Sequence, residues 1–208
     1  HILTLEDPIE YRHQNQRSLV TQREVARHTP SFAQGLKAAL REDPDVILVG
    51  GMRDAETMSL AISAAATGQL VFGTLHTMSA AQTVDRILDS FEGERQTQVR
   101  LMLAESLKGV LAQRLIRRAS GVGRVLALEI LAGNTAVASL IRGRKTVQLP
   151  SVIQTGKREG MQAMDESILT LVRGGIIAPE DAAHHLSSRD LLAGNARPGD
   201  PGAIRQAA

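Results

Sequence analysis

Three short apolar runs, each closed by a polar or glycine cluster, set the limits on what this chain can fold into. They are Ile2-Leu3-Thr4-Leu5 before Glu6-Asp7, Val46-Ile47-Leu48-Val49 before Gly50-Gly51, and Leu70 to Leu75 before His76. Apolar runs of roughly four to eight residues bounded by turn residues read as strands, and unbroken ones as strands buried on both faces of a parallel sheet. Helical spacing fills the gaps. Thr29-Pro30-Ser31 offers a helix start with Thr29 as N-cap, followed by Phe32, Leu36, Ala39 and Leu40 on one face. Residues 54–66 read as a helix capped by Asp54 and ended by Gly68. A short strand is expected within 17–25 and a helix over 79–89. Strand and helix alternating in this rhythm predict an α/β fold with a mostly parallel sheet.

Ligands of such sheets sit beyond the C-terminal ends of the strands. Those ends carry Glu6, Asp7, Gly50, Gly51 and His76, which makes them the first candidate site. Further along, Val99, Leu103, Leu107, Val110, Leu111 and Leu115 form one stripe, and the spacing predicts a single helix over 94–116. A strand is expected over 124–130, then helices only, over 134–142, 163–174 and 179–187. The expected organisation is an α/β layer over 1–130, a helical appendage over 131–187 and a disordered tail over 188–208, where glycine, proline and asparagine replace apolar residues.

Composition narrows the function classes. The aromatic residues are Tyr11, Phe32, Phe72 and Phe91, too few for a platform that stacks nucleobases, and no direct nucleic-acid partner is expected. Acids are spread among the bases at a net charge of +2, which reads as a mixed, solvated surface that takes in Arg23 and Arg86. There is no cysteine, so disulfides and thiolate zinc sites are excluded. His13, His28, His184 and His185 match no metal-ligand spacing and read as solvated. No apolar run approaches the roughly 20 residues that cross a bilayer, so the expectation is a cytoplasmic protein without membrane insertion. An opening inside an apolar run at His1 reads as a truncated chain.

Four ordered segments carry a family likeness: LEDPIEY (Leu5–Tyr11), LREDPDVILVGGMRDAET (Leu40–Thr57), TGQLVFGTLHTMSAAQTVDRI (Thr67–Ile87) and IQTGKREGMQAMD (Ile153–Asp165). They look like the Asp box, the Walker B region, the His box and the C-terminal helical domain of PilT-like type IV pilus retraction ATPases, members of the secretion-type motor ATPases. The resemblance implies a RecA-like core followed by a small helical domain. It also implies a hexameric motor, homo- or hetero-hexameric with a related ATPase, that hydrolyses ATP with Mg²⁺. Such a motor works at the cytoplasmic side of the inner membrane through a platform protein and powers pilus retraction, twitching motility or related secretion. By the same resemblance Glu6 and Asp7 hold Mg²⁺ through its waters, and His76 senses or stabilises the γ-phosphate. Gly50, Arg53 and Gln69 complete the nucleotide contacts. Bland alternatives stand beside these roles: Glu6 as a strand-end salt-bridge partner, Asp7 before Pro8 as only a turn residue, His76 as a satisfied structural histidine, and Asp54 as only a helix cap where the other reading has it, with Arg53, in contact with a neighbouring subunit.

The chain departs from that pattern in places that matter. It holds no GxxxxGK[ST] phosphate-binding loop, which in the resembled family precedes the Asp box. Gly51 stands where the resembled family has a glutamate that positions the attacking water. Gln69 replaces a histidine. The helix AVASLIRG (Ala136–Gly143) keeps Arg142 but has Ala138 and Gly143 where that family has arginine and glutamate. A catalytically impaired ring subunit or scaffold of the same machinery is therefore the alternative reading.

Overall fold

The computed structural model describes residues 1–193. Two compact units interleave along the chain, unlike the single boundary at 130/131 expected from the sequence. One comprises 1–77, 81–108 and 133–147; the other comprises 78–80, 109–132 and the chain from 148 onward.

The first unit is built on four parallel strands, β1 (Ile2–Glu6), β2 (Val20–Glu24), β3 (Val46–Val49) and β4 (Leu70–Gly73), in the order β2-β1-β3-β4. Register decides which side chains share a face. Leu3 pairs with Ile47 and Ile47 with Val71; Leu5 pairs with Val49 and Val49 with Gly73. This face packs on α1 (Phe32–Ala39) and α2 (Ala55–Ala66), and its core of Leu3, Leu5, Leu36, Ile47 and Val49 is fully buried. The opposite face carries Thr4, Leu48 and Phe72 in one row.

Helix starts follow the capping rules, with one correction. The N-cap of α1 is Ser31, whose hydroxyl accepts from the Gln34 N–H, and not Thr29. Thr29 instead belongs to the turn after β2, where its carbonyl accepts from the Ala26 N–H at 2.8 Å. Asp54 caps α2 as expected: one carboxylate oxygen accepts from the Thr57 N–H and the other from the Thr57 hydroxyl, both at 2.8 Å. Loss of such a cap costs roughly 1 kcal/mol. Asp54→Ala is expected to lower unfolding free energy by about that amount, read from urea unfolding, and an unchanged midpoint would mean that α2 is held by packing alone.

The longest expected helix is two elements. Helix α4 (Gly93–Ser106) ends early, and β5 (Gly109–Arg117) follows, paired antiparallel with β6 (Arg124–Ala132). The misreading has a geometric cause. Leu107, Leu111 and Leu115 are four residues apart, and a spacing of four returns to the same face of a helix and of a strand alike. On the strand, Leu111 and Leu115 face outward, 62% and 63% exposed, while Ala112 and Ile116 are buried.

The remaining helices of the first unit are α3 (Ala80–Asp89), whose first residue clusters with the second unit, and α5 (Thr135–Arg142). The second unit packs β5 and β6 with α7 (Met164–Arg173) and α8 (Pro179–Ala183) around Ile116, Ala127, Met164, Ile168 and Ile177. It also contains α6 (Leu149–Thr155) and α9 (Asp190–Ala193). The last lies inside the stretch expected to be disordered, of which residues 194–208 are outside the described residues. Helix α8 is shorter than the expected 179–187. Among the described residues no helix is long and apolar enough to cross a membrane.

Strand β4 corrects a second expectation. It is an edge strand and was expected to be buried, yet Leu70 is 45% and Phe72 52% exposed. The apolar run marked a strand correctly but could not say how many neighbours that strand has.

Candidate functional site

At the C-terminal edge of the four-stranded sheet, the backbone itself continues the ladder past the strands. The Gly50 N–H donates to the Leu5 carbonyl at 2.7 Å, and the Thr74 N–H to the Val49 carbonyl at 3.2 Å. The Thr74 hydroxyl closes the row by donating to the Gly50 carbonyl at 2.8 Å. Glu6, Gly50 and Thr74 thus stand side by side at one level, on β1 and just beyond β3 and β4.

The closeness of this row explains Gly50. A β-carbon there would lie 3.0 Å from the Leu5 carbonyl oxygen and 3.4 Å from the Glu6 α-carbon. Both neighbours are backbone, so a side chain there requires the strands to shift by a few tenths of an ångström. Gly51 differs. It is buried, but a β-carbon would meet the Phe32 ring at 3.4 Å and the Arg53 Nε at 3.6 Å, ordinary contact distances.

Glu6 is half-buried and oriented. Its Oε1 accepts from the Thr4 hydroxyl at 2.6 Å and from the Gln22 amide at 2.9 Å. Among the described residues its Oε2 has no hydrogen-bond partner. One carboxylate oxygen is fixed by the protein while the other remains available, a suitable arrangement for holding a hydrated cation. Thr4 and Gln22 were missed by the sequence reading. Thr4 left a signal: it lies two residues before Glu6 and so shares its face, a polar residue in an otherwise apolar run. Gln22 left none, because its reach to Glu6 depends on the pairing of β1 with β2.

The other candidates distribute unevenly. Asp7 is exposed beside the row, directly after Glu6, and Arg53 is exposed two residues beyond Gly51. His76 lies two residues past Thr74, exposed, with no hydrogen bond or ion pair among the described residues. Gln69 stands apart. It precedes β4, and the next residue, Leu70, donates to the Asp45 carbonyl at the opposite, N-terminal edge of the sheet. A four-residue strand separates it from the row, roughly 13 Å at about 3.3 Å per residue. The geometry therefore does not group Gln69 with Glu6 and Gly50.

No cluster of three or more His, Asp or Glu side chains able to cage a metal exists among the described residues. Mg²⁺ does not need one: it keeps most of its waters and takes one or two carboxylates. Glu6 with its open Oε2, and Asp7 beside it, fit that mode.

The sequence matches the family described as "Type II/IV secretion system protein" over residues 1–166. The chain belongs to that family. Within it, this secretion-system protein is PilT-like. It is 56% identical over 192 residues to a twitching motility protein of Neisseria gonorrhoeae, covering 92% of this chain and 51% of that one. It is 54% identical over 182 residues to the type IV pilus retraction ATPase PilT of Pseudomonas aeruginosa, covering 88% and 53%. The crystal structure of the pilus retraction motor PilT with bound ADP superposes with a TM-score of 0.83 at 48% identity, covering 91% of this chain and 53% of that one. The PilT-like chain thus spans about half the length of the relatives it matches, and its mixed α/β fold with a parallel sheet is the fold of that family.

Proposed function

We propose that these residues are the part of a PilT-like ring motor that holds the metal- and water-facing side of an ATP site. The row of Glu6, Gly50 and Thr74 supports this reading most directly. It places an oriented carboxylate with one open oxygen beside a backbone stripped of side chains, at the sheet edge where parallel α/β folds bind ligands. Glu6, with Asp7, would hold Mg²⁺ through water, and the metal supplies charge neutralisation on the phosphates. Gly50 keeps the wall low. His76 and Arg53, both exposed at the same edge, offer donors to phosphate oxygens. The 208 residues hold no GxxxxGK[ST], so the cradle for the β- and γ-phosphates is contributed by other residues of the assembled motor. The remaining proposals follow from the family: a homo- or hetero-hexamer, a platform protein at the inner membrane, a cytoplasmic location, and pilus retraction or related secretion as the work done.

Joining the phosphate-loop half of a PilT relative to this chain tests the reading. The joined protein is expected to bind a fluorescent ADP analogue in the presence of Mg²⁺. Glu6→Gln is expected to weaken the Mg²⁺-dependent part of that affinity about tenfold, the scale of one lost charge-assisted contact. Binding that ignores Glu6 and Mg²⁺ alike would remove the carboxylate from the site.

A second reading rests on Gly51. A position without a side chain cannot orient or deprotonate water, so the motor subunit binds nucleotide and turns it over slowly. Turnover of the joined protein separates the two readings.

A further inference from the structure

A second cluster lies at the same edge of the sheet, on the outer side of β1. The loop after β1 and the turn after β2 flank an open cleft of about 310 Å³. Arg12, His13, Arg27 and His28 line it, with Gln22 and Glu24. From the sequence alone His13 and His28 read as solvated and Arg12 and Arg27 carry no signal; β1 and β2 being neighbours brings the four together.

The cleft is rich in donors and poor in free acceptors. Gln22 is fully engaged: its Oε1 accepts from the His13 N–H at 2.8 Å, and its amide donates to Glu6 and to the Tyr11 carbonyl, both at 2.9 Å. Glu24 accepts from the Ile9 N–H at 3.2 Å. His28 accepts the Glu24 N–H on Nδ1 at 2.9 Å, so its hydrogen is carried on Nε2 as a donor. Neither Arg12 nor Arg27 makes an ion pair among the described residues, while Arg23 and Lys37 nearby on the fold are both paired, with Glu42 and Glu56. Two guanidinium groups against the single carboxylate of Glu24 leave the cleft net positive. The turn that presents Arg27 and His28 is held in place. The His28 N–H donates to the Glu24 carbonyl at 2.8 Å, and Ala26 adopts φ of 66°, a left-handed conformation that non-glycine residues rarely take without a supporting structure.

We infer that this cleft binds a phosphate-class oxyanion, either inorganic phosphate or the terminal phosphate of a nucleotide. Unpaired arginines with free forks, plus an imidazole N–H, match the several acceptor oxygens of such a group. The inference does not need the nucleotide site proposed above, since none of Gly50, Gly51, Arg53 or His76 lines the cleft. Gln22 nevertheless links the two places, because one amide touches Glu6 and its carbonyl end fixes His13.

The test titrates the chain with inorganic phosphate at constant ionic strength, chloride making up the balance, followed by calorimetry or ³¹P line width. Saturable binding is expected. Arg12→Gln and Arg27→Gln should each weaken it, and the pair together by roughly 10- to 100-fold, the range for lost charged hydrogen bonds. Arg41→Gln, an exposed arginine outside the cleft, serves as the charge control. A parallel titration with ADP identifies the source: ADP tighter than phosphate and weakened by the same variants means a nucleotide's phosphate, and ADP no tighter means the free ion. Both arginines are exposed, and far-UV circular dichroism verifies that the variants fold. Absence of saturation, an unchanged affinity in the paired variant, or an equal loss in Arg41→Gln would each overturn the inference. A failed nucleotide site with intact phosphate binding would leave it standing.

Discussion

Gly51→Glu, placed in a chain joined to a phosphate-loop half, is expected to raise kcat for ATP hydrolysis by about 10²–10⁴, the usual contribution of a positioned base. The structure allows the substitution. Gly51 is not among the positive-φ glycines, and its missing β-carbon has neighbours at 3.4 and 3.6 Å, so a β-carbon there requires no backbone shift. The nearer neighbour is the edge of the half-buried Phe32 ring, and the other is the exposed Arg53. Adjacent Gly50 is tighter, because its nearest contacts are backbone atoms at 3.0 and 3.4 Å that would have to shift. A base acts mainly in the transition state, so nucleotide affinity is expected to change little while kcat rises. Steady-state turnover and nucleotide binding of the two joined proteins decide the matter. Equal and brisk turnover in both would assign the water-positioning role to another group, with Glu6 the first candidate.

The second large effect concerns packing beneath the site. Leu5 is fully buried and immediately precedes Glu6. Leu5→Ala is expected to cost about 2–5 kcal/mol in unfolding free energy, as for other large-to-small core changes. The neighbour opposite is Gly35 in α1, where an added β-carbon would lie 2.7 Å from the Leu5 Cδ2 and 3.1 Å from two atoms of Thr29. Gly35→Ala alone sets two terms against each other. Helix propensity favours alanine by roughly 1 kcal/mol, and overpacking opposes it by roughly 1–3 kcal/mol. Leu5 has no exposed side to retreat to, so the net change is expected to be destabilising. In the Leu5→Ala background the main overlap vanishes and the new methyl occupies part of the cavity, so the same Gly35→Ala change becomes neutral or stabilising. Coupling of about 1–2 kcal/mol is expected, within the range for residues in contact. Urea unfolding of the four proteins of this cycle measures it. An identical effect of Gly35→Ala in both backgrounds would mean that α1 does not press on β1 as described.

What the sequence disclosed and what it hid follow from one distinction. Strands β1 and β3 were legible because apolar runs bounded by turn residues are local features, and so were Glu6 and Gly50 at their ends; β4 stops at Gly73, short of the expected Leu75, so His76 lies three residues past its strand. Asp54 was legible as a cap for the same reason. Pairing between distant segments was not. Gln22 reaches Glu6 only because β2 lies beside β1, and Arg12 and Arg27 line one cleft for the same reason. The stripe ending in Leu111 and Leu115 misled because a four-residue repeat fits both helix and strand. Gln69 was grouped with His76 through one motif, although a strand divides them and carries each to an opposite edge.

The edge position of β4 bears on how the chain behaves in a test tube. Among the described residues β4 has a strand on one side only, and Leu70 and Phe72 are about half exposed. The four residues Leu-Val-Phe-Gly include neither a charge nor a proline, the two devices that blunt a sheet edge against unwanted pairing. Isolated at high concentration, such an edge is a seed for precipitation, and colloidal behaviour becomes a sensitive reporter of whether anything has docked along β4.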